Sequence, residues 1–204
     1  MAGYHASLVK MNDALEICLE NSATAEVAWE GALAYLVGSM EGPESGGDYR
    51  ESGQLMYSLA KKNCFAFNTC AANSDSKLNI ELLELFKRGK DELARNLCSD
   101  LSLTAERIKG VLLTILIQGT LNCALLNADL SSDSNSEDLA KGYIITQALY
   151  PSLAGVDSTS AGIIEWNMQF PVANSPVPDG SDAVFTAFAS VIPQMKNVNC
   201  AEVG

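Results

Sequence analysis

Histidine is almost absent from this sequence of 204 residues, since His5 is the single one. A Ser/His/Asp or Cys/His catalytic device needs an imidazole in a rigid position, and His5 lies close to an end that should fray. The sequence also lacks GxSxG, Walker, HExxH and strand-linked GxGxxG patterns. Acidic residues are numerous, but a charged surface accounts for most of them. The sequence therefore predicts a protein that is not an enzyme.

Basic residues are scarce as well, with 13 Lys and Arg against 25 Asp and Glu, which gives a formal net charge of −12. Such a chain repels nucleic acid and anionic membrane surfaces, so neither is an expected partner. The most apolar stretch, residues 110–126, is short and interrupted by Thr114, Gln118, Thr120 and Asn122. It predicts a buried helix and no direct membrane span.

Alternating β-branched runs are nearly missing, and the apolar residues recur instead at three- and four-residue steps. We predict an all-α protein: one domain over residues 1–204, built as a bundle of four main helices plus shorter ones. Proline and glycine suggest that the fourth helix is interrupted near Gly89 and that another stops at Pro151. The expected helices cover residues 6–19, 24–40, 54–62, 78–97, 104–127, 139–150, 160–168 and 182–195.

Zinc-type cysteine spacing is also lacking, although the chain has six cysteines. An even number without CxxC favours three disulfides and an oxidising compartment over six reduced thiols. Cys64 and Cys70 enclose five residues and can close a small loop. The pairing of Cys18, Cys98, Cys123 and Cys200 stays open, with Cys200 expected to tie down the C-terminus. We expect a secreted or cell-surface protein whose signal peptide is absent from this chain.

The second predicted helix carries an unusual carboxylate. Glu30 lies among alanine, tryptophan, glycine and leucine, where an acid is costly unless it is paired, hydrogen-bonded or bound to metal. Glu41 follows after close to three helical turns, at about 3.6 residues per turn, so both acids project from one side. Tyr35 and Tyr57 are further oxygen donors. Pairing of Glu30 with lysine, solvation of Glu41 and ordinary packing of the tyrosines are the alternatives.

The segment after this helix is dense in hard oxygen donors, namely Glu41, Glu44, Asp48, Tyr49 and Glu51. Carboxylates and phenols suit Mg²⁺, Ca²⁺, Mn²⁺ or ferric iron. Arg50 stands beside glycines and can hold a small anion. A solvated acidic loop is the alternative interpretation.

Several motifs occur in a recognisable order: AWEGALAYLVGSMEG (28–42), GG (46–47), GQLMYSLAKKNCFAFNTC (53–70), LFKRGKDEL, IQGTLNCAL (117–125) and CAEVG (200–204). Together they resemble the repeat unit of algal iron-assimilating proteins, which include the phytotransferrins. The resemblance covers about residues 22–204, as one copy of a unit that many members carry twice or more. It implies an extracellular protein that takes up Fe(III), with carbonate in phytotransferrins.

By this resemblance, the metal ligands are Glu30, Tyr35, Glu41 and Tyr57. Trp29, Gly31, Gly38 and Gly42 then have architectural roles, as does the Cys64–Cys70 loop. The expected partners are iron, possible carbonate, and further copies of the domain or a cell-surface complex. Acidification should release the metal by protonating its ligands. The rival hypothesis is a structural or assembly module with the same helices and no metal.

Overall fold

The computed structural model describes residues 1–20, 22–38, 55–128, 136–169 and 179–204. Of these residues 81% are helical, and the described part of the chain contains no strand. The prediction of an all-α fold is therefore confirmed. The helices are α1 (Ala2–Ile17), α2 (Ser22–Val37), α3 (Met56–Ala66), α4 (Lys77–Ala94), α5 (Cys98–Ala128), α6 (Ser136–Ala154), α7 (Ser158–Asn167), α8 (Ser181–Val191) and α9 (Cys200–Val203), with a 3₁₀ turn at Ile192–Gln194.

The predicted helix start at residue 104, the predicted stop at Pro151 and the predicted interruption near Gly89 are wrong. Helix α5 begins at Cys98 and not at residue 104 as predicted, and Thr104 is a buried residue within it. Helix α6 continues through Pro151 to Ala154. A proline inside a helix loses one hydrogen bond, and the burial of Leu153 beyond it offsets that cost. Helix α4 runs uninterrupted through Gly89 because a tryptophan packs directly on that glycine.

Contacts between residues divide the chain into two compact units, Met1–Leu112 and Leu113–Gly204. The boundary falls within α5, where the sequence shows no linker. The prediction of a single domain over residues 1–204 stays a prediction. The first unit contains α1 to α4 and the beginning of α5, and the second contains the rest of α5 and α6 to α9.

In the first unit, α2 packs against α1, α3 and α4. Trp29 is the largest fully buried side chain and lies against Phe86 of α4, with ring centroids 5.2 Å apart. Its indole Nε1–H donates to the Phe86 carbonyl over 2.9 Å. A Cβ atom on Gly89 would overlap the indole ring. The glycine thus allows α2 and α4 to approach closely.

Two disulfides are present, Cys18–Cys98 and Cys64–Cys70. The second confirms the predicted local loop, and the first links the end of α1 to the start of α5. The prediction of a third disulfide is wrong, because Cys123 and Cys200 carry thiols. The C-terminal helix is held by Gln118 instead, whose side-chain amide donates to the carbonyls of Glu202 and Val203 over 3.2 and 3.0 Å.

Within the second unit, α7 packs against both α6 and α8.

Among the described residues, the segment Cys98–Leu126 of α5 is the one long and apolar enough to cross a bilayer. However, 78% of its most apolar window is buried inside the protein. Such burial is typical of a core helix.

Helix α7 has a carboxylate cap. The side chain of Asp157 accepts hydrogen bonds from the backbone N–H of Thr159 and from the Ser160 hydroxyl. The Ser160 hydrogen bond, with the backbone donors, lowers the pKa of Asp157 against an opposing effect of desolvation. These bonds satisfy backbone donors that the first turn would otherwise leave unpaired.

We therefore expect Asp157 to make stability depend on pH. A carboxyl with a lowered folded-state pKa stabilises the fold above its unfolded pKa of about 3.9, and this stabilisation disappears as pH falls through the folded value. Asp157→Asn keeps a cap acceptor but does not titrate. Its melting temperature should lie below that of the wild type at pH 7, and the gap should narrow below about pH 4. A difference in melting temperature between wild type and variant that stays constant with pH would contradict a stabilising role of the Asp157 charge.

Candidate functional site

Glu30 is an exposed acid and not a buried one. Its side chain is 55% exposed, and its carboxylate is ion-paired with Lys90 of α4. Glu26, one turn earlier on α2, pairs with the same ammonium at 2.9 Å. The premise that Glu30 is embedded in an apolar environment is therefore wrong. A helix that is apolar in sequence still has one side facing water, and Glu30 lies on that side.

Lys90 completes a small exposed cluster with Glu26 and Glu30. The hydrogen bond to Glu30, followed by the one to Glu26, raises the pKa of the Lys90 ammonium. Lys90 consequently stays charged at physiological pH. A metal ion that bound Glu30 would have to compete with this ammonium for the carboxylate.

The two candidate tyrosines have opposite environments. Tyr35 lies on the last turn of α2, and 46% of it is exposed. Tyr57 of α3 is only 4% exposed, and its backbone carbonyl accepts from the Asn79 amide over 2.8 Å. Burial raises the pKa of the Tyr57 phenol, and the carboxylate of Asp75 raises it further. Phenolate formation is therefore harder at Tyr57 than at a phenol in water.

The three described ligand candidates have different surroundings. Glu30 contacts Lys90 on α4, Tyr35 lines a groove beside α1, and Tyr57 is buried. Among the described residues, no hydrogen bond or ion pair joins any two of them. Glu41 and Arg50 lie outside the described residues, as does the rest of the acidic segment. In the described part of the chain, no group of three or more His, Cys, Asp or Glu side chains is placed to hold a metal ion.

Sequence analysis gave pairing of Glu30 with a lysine as an alternative, and the structure bears out that alternative, but the sequence did not identify Lys90. Glu26 and Glu30 are four residues apart, so they share a helix face, and this spacing was the available signal that a cation lies opposite. The identity of that cation is a tertiary fact, because Lys90 is 60 residues away in sequence. Another missed pair is Lys61 with Asp75, at 3.0 Å beside the disulfide loop.

A groove of about 720 Å³ runs between α1 and α2. We call it the α1–α2 groove. The residues that line it are mostly small or apolar, with three charged side chains on the α1 side: Lys10, Asp13, Glu16, Ile17, Thr24, Val27, Ala28, Gly31, Ala34 and Tyr35. The exposed phenol of Tyr35 is at the end of the groove where α2 finishes.

Comparison with protein-family models, with curated proteins and with solved structures finds no match for this chain.

Proposed function

We propose that the protein binds ferric iron in an oxidising compartment outside the cell and serves in iron uptake. The observation that carries the proposal is the exposed phenol of Tyr35 on the last turn of α2. Five hard oxygen donors follow within the next 16 positions of the sequence: Glu41, Glu44, Asp48, Tyr49 and Glu51. A phenol and carboxylates form a donor set suited to a hard trivalent cation.

Two further observations support this proposal. Disulfides persist in oxidising compartments, and the chain has two of them, one closing 80 residues of sequence. Of the motif that resembles iron-assimilating proteins, residues 28–37 form the second part of α2. That helix ends at Val37, and the next residue, Gly38, has a φ of 69°, a left-handed conformation that suits glycine.

The structure also alters the ranking of the candidate ligands. Tyr35 has an accessible phenol and Glu41 belongs to the acidic segment, so we place these two first. Glu30 is already paired with Lys90, and Tyr57 is buried with a raised phenol pKa. Arg50 stands within the acidic segment, where its guanidinium is suited to a bridging carbonate.

The test is titration of the purified protein with ferric nitrilotriacetate. We expect the wild type to develop a visible tyrosinate-to-iron band, and Tyr35→Phe to lose it. Glu41→Gln should weaken binding about tenfold or more, which corresponds to about 1.4 kcal/mol. The matched controls are Tyr143→Phe on α6 and Glu84→Gln on α4, which should leave the band and the affinity unchanged. Unchanged binding in the Tyr35→Phe/Glu41→Gln double variant would refute the proposal.

A third variant tests whether Glu30 is one of the metal ligands. Glu30→Gln should change ferric affinity less than Glu41→Gln does, because the Glu30 carboxylate is engaged by Lys90. If Glu30→Gln instead removes binding as Tyr35→Phe does, then iron competes successfully with Lys90, and Glu30 belongs to the ligand set as the resemblance implies.

A structural or assembly module without metal is the second candidate. The pairing of Glu30 with Lys90 favours it, as does the lack of a clustered metal-binding group among the described residues. Metal analysis of protein purified from its native source discriminates between the two candidates. Stoichiometric iron supports the first, and metal-free protein that also fails to bind added ferric iron supports the second.

A further inference from the structure

Helix α2 has two apolar stripes, and the first unit covers only one of them. Trp29, Ala32 and Leu36 point into the core and are at most 1% exposed. On another side, Val27 is 70% exposed and Tyr35 is 46% exposed. A further side of α2 carries the charged residues Glu26 and Glu30, but the apolar faces of a helix are normally packed against a neighbour. The second stripe is thus an apolar surface that the described residues leave uncovered.

The shape of the α1–α2 groove fits a helix. The residues of α2 that line it are spaced three and four apart, from Thr24 through Val27, Ala28 and Gly31 to Tyr35. This is the spacing of residues that receive the side chains of a neighbouring helix. A Cβ atom on Gly31 would find its nearest neighbour, Lys10 Cδ, at 3.9 Å, so the floor of the groove is open.

Two of the three charges that α1 contributes to the groove, those of Lys10 and Glu16, can pair with a second copy of α1. Lys10 pairs with Asp13 at 3.0 Å, whereas Glu16 has no ion-pair partner among the described residues. Lys10 and Glu16 are each three residues from Asp13, about 4.5 Å along the helix axis in opposite directions. An antiparallel second copy centred on Asp13 would bring its Lys10 level with this Glu16, and its Glu16 level with this Lys10. The two Asp13 carboxylates would then face each other, each held by the Lys10 of its own chain.

We propose that the α1–α2 groove is the contact surface of a homodimer, in which two α1–α2 hairpins pack antiparallel to form a four-helix interface. A two-fold dimer uses the same patch on both subunits, so the patch must complement itself. The Lys10 and Glu16 positions meet that requirement, and the exposed apolar stripe supplies surface to bury. This inference does not depend on iron.

The first test is sedimentation equilibrium of the full chain at about 0.15 M salt, over about 1 to 200 μM protein. We expect a monomer–dimer equilibrium. Val27→Glu should raise the dissociation constant at least about tenfold, because it places a charge on the uncovered stripe. The control is Ile144→Glu, which changes an apolar side chain of α6 that is 49% exposed. It should leave the equilibrium unchanged, and thermal unfolding would verify that both variants fold.

A charge-exchange cycle tests the register. Lys10→Glu and Glu16→Lys should each weaken association, and the Lys10→Glu/Glu16→Lys double variant should restore it to within about threefold of the wild type. Wild-type protein that stays monomeric over the whole range would overturn the proposal and leave the groove to a different partner. Dimerisation that survives Val27→Glu, or that Ile144→Glu abolishes equally, would place the interface elsewhere.

Discussion

Replacing both Cys18 and Cys98 by serine is expected to lower the free energy of unfolding by about 4 to 5 kcal/mol. This bond joins residues 80 apart in sequence. In the chain-entropy account, a cross-link restricts the unfolded chain more when it closes a longer loop, and about 80 residues correspond to about 4.5 kcal/mol. A single domain has only about 5 to 15 kcal/mol of net stability, so the loss would be a large part of it.

The matched control is Cys64→Ser/Cys70→Ser, whose bond spans a sequence separation of only 6. The same relation gives about 2 kcal/mol for so short a loop. Urea unfolding of the two double variants and the wild type would measure both losses of stability. The slope of the unfolding free energy against urea concentration would report changes in the unfolded state. Equal losses from the two bonds would show that local contacts of the cysteines, and not loop length, decide their contributions.

Gly89→Ala is expected to destabilise the protein by about 3 kcal/mol, although the same change in an exposed helix stabilises by up to about 1 kcal/mol. The added methyl group would overlap the indole of Trp29, which is 1% exposed and has no room to move aside. Either α2 and α4 separate, or the indole shifts and loses its hydrogen bond to the Phe86 carbonyl. Both responses cost packing in the centre of the first unit.

Gly162→Ala on α7 is the control for Gly89→Ala, because a Cβ atom there has nothing within 4 Å. It should be neutral or stabilising. In a Trp29→Leu background, the cost of Gly89→Ala should fall, since the smaller side chain leaves space for the methyl group. If Gly89→Ala stabilised the protein as much as Gly162→Ala, the close packing of Trp29 on α4 would be refuted.

The fold class could be predicted because it depends on local patterns. Apolar spacing gave the helices and their order, and the five residues between Cys64 and Cys70 gave the local disulfide. The errors arose where tertiary contacts override local signals. Gly89 and Pro151 are helix breakers in isolation, but Trp29 packs on the first and Leu153 is buried just after the second. Gln118 is one of the polar residues that interrupt the apolar stretch in the sequence, and its side chain donates to the backbone of the C-terminal helix.

The candidate site was harder to predict because it depends on which face of α2 meets which neighbour. Apolar residues surround Glu30 in the sequence. In the structure, however, Glu30 lies on the exposed side of α2, where its carboxylate pairs with Lys90. The burial of Tyr57 and the exposure of Tyr35 likewise depend on how α1, α3 and α4 pack around α2. Apolar residues lie on more than one face of α2, so the sequence pattern alone does not show which face packs against which neighbouring helix.

The two thiols of the second unit differ in accessibility, since Cys200 is exposed and Cys123 is buried. An alkylating reagent should therefore label Cys200 in the native protein and reach Cys123 only when the surrounding helices open. The chain thus contains both a fluorophore attachment point and a reporter of local unfolding, with no engineered cysteine.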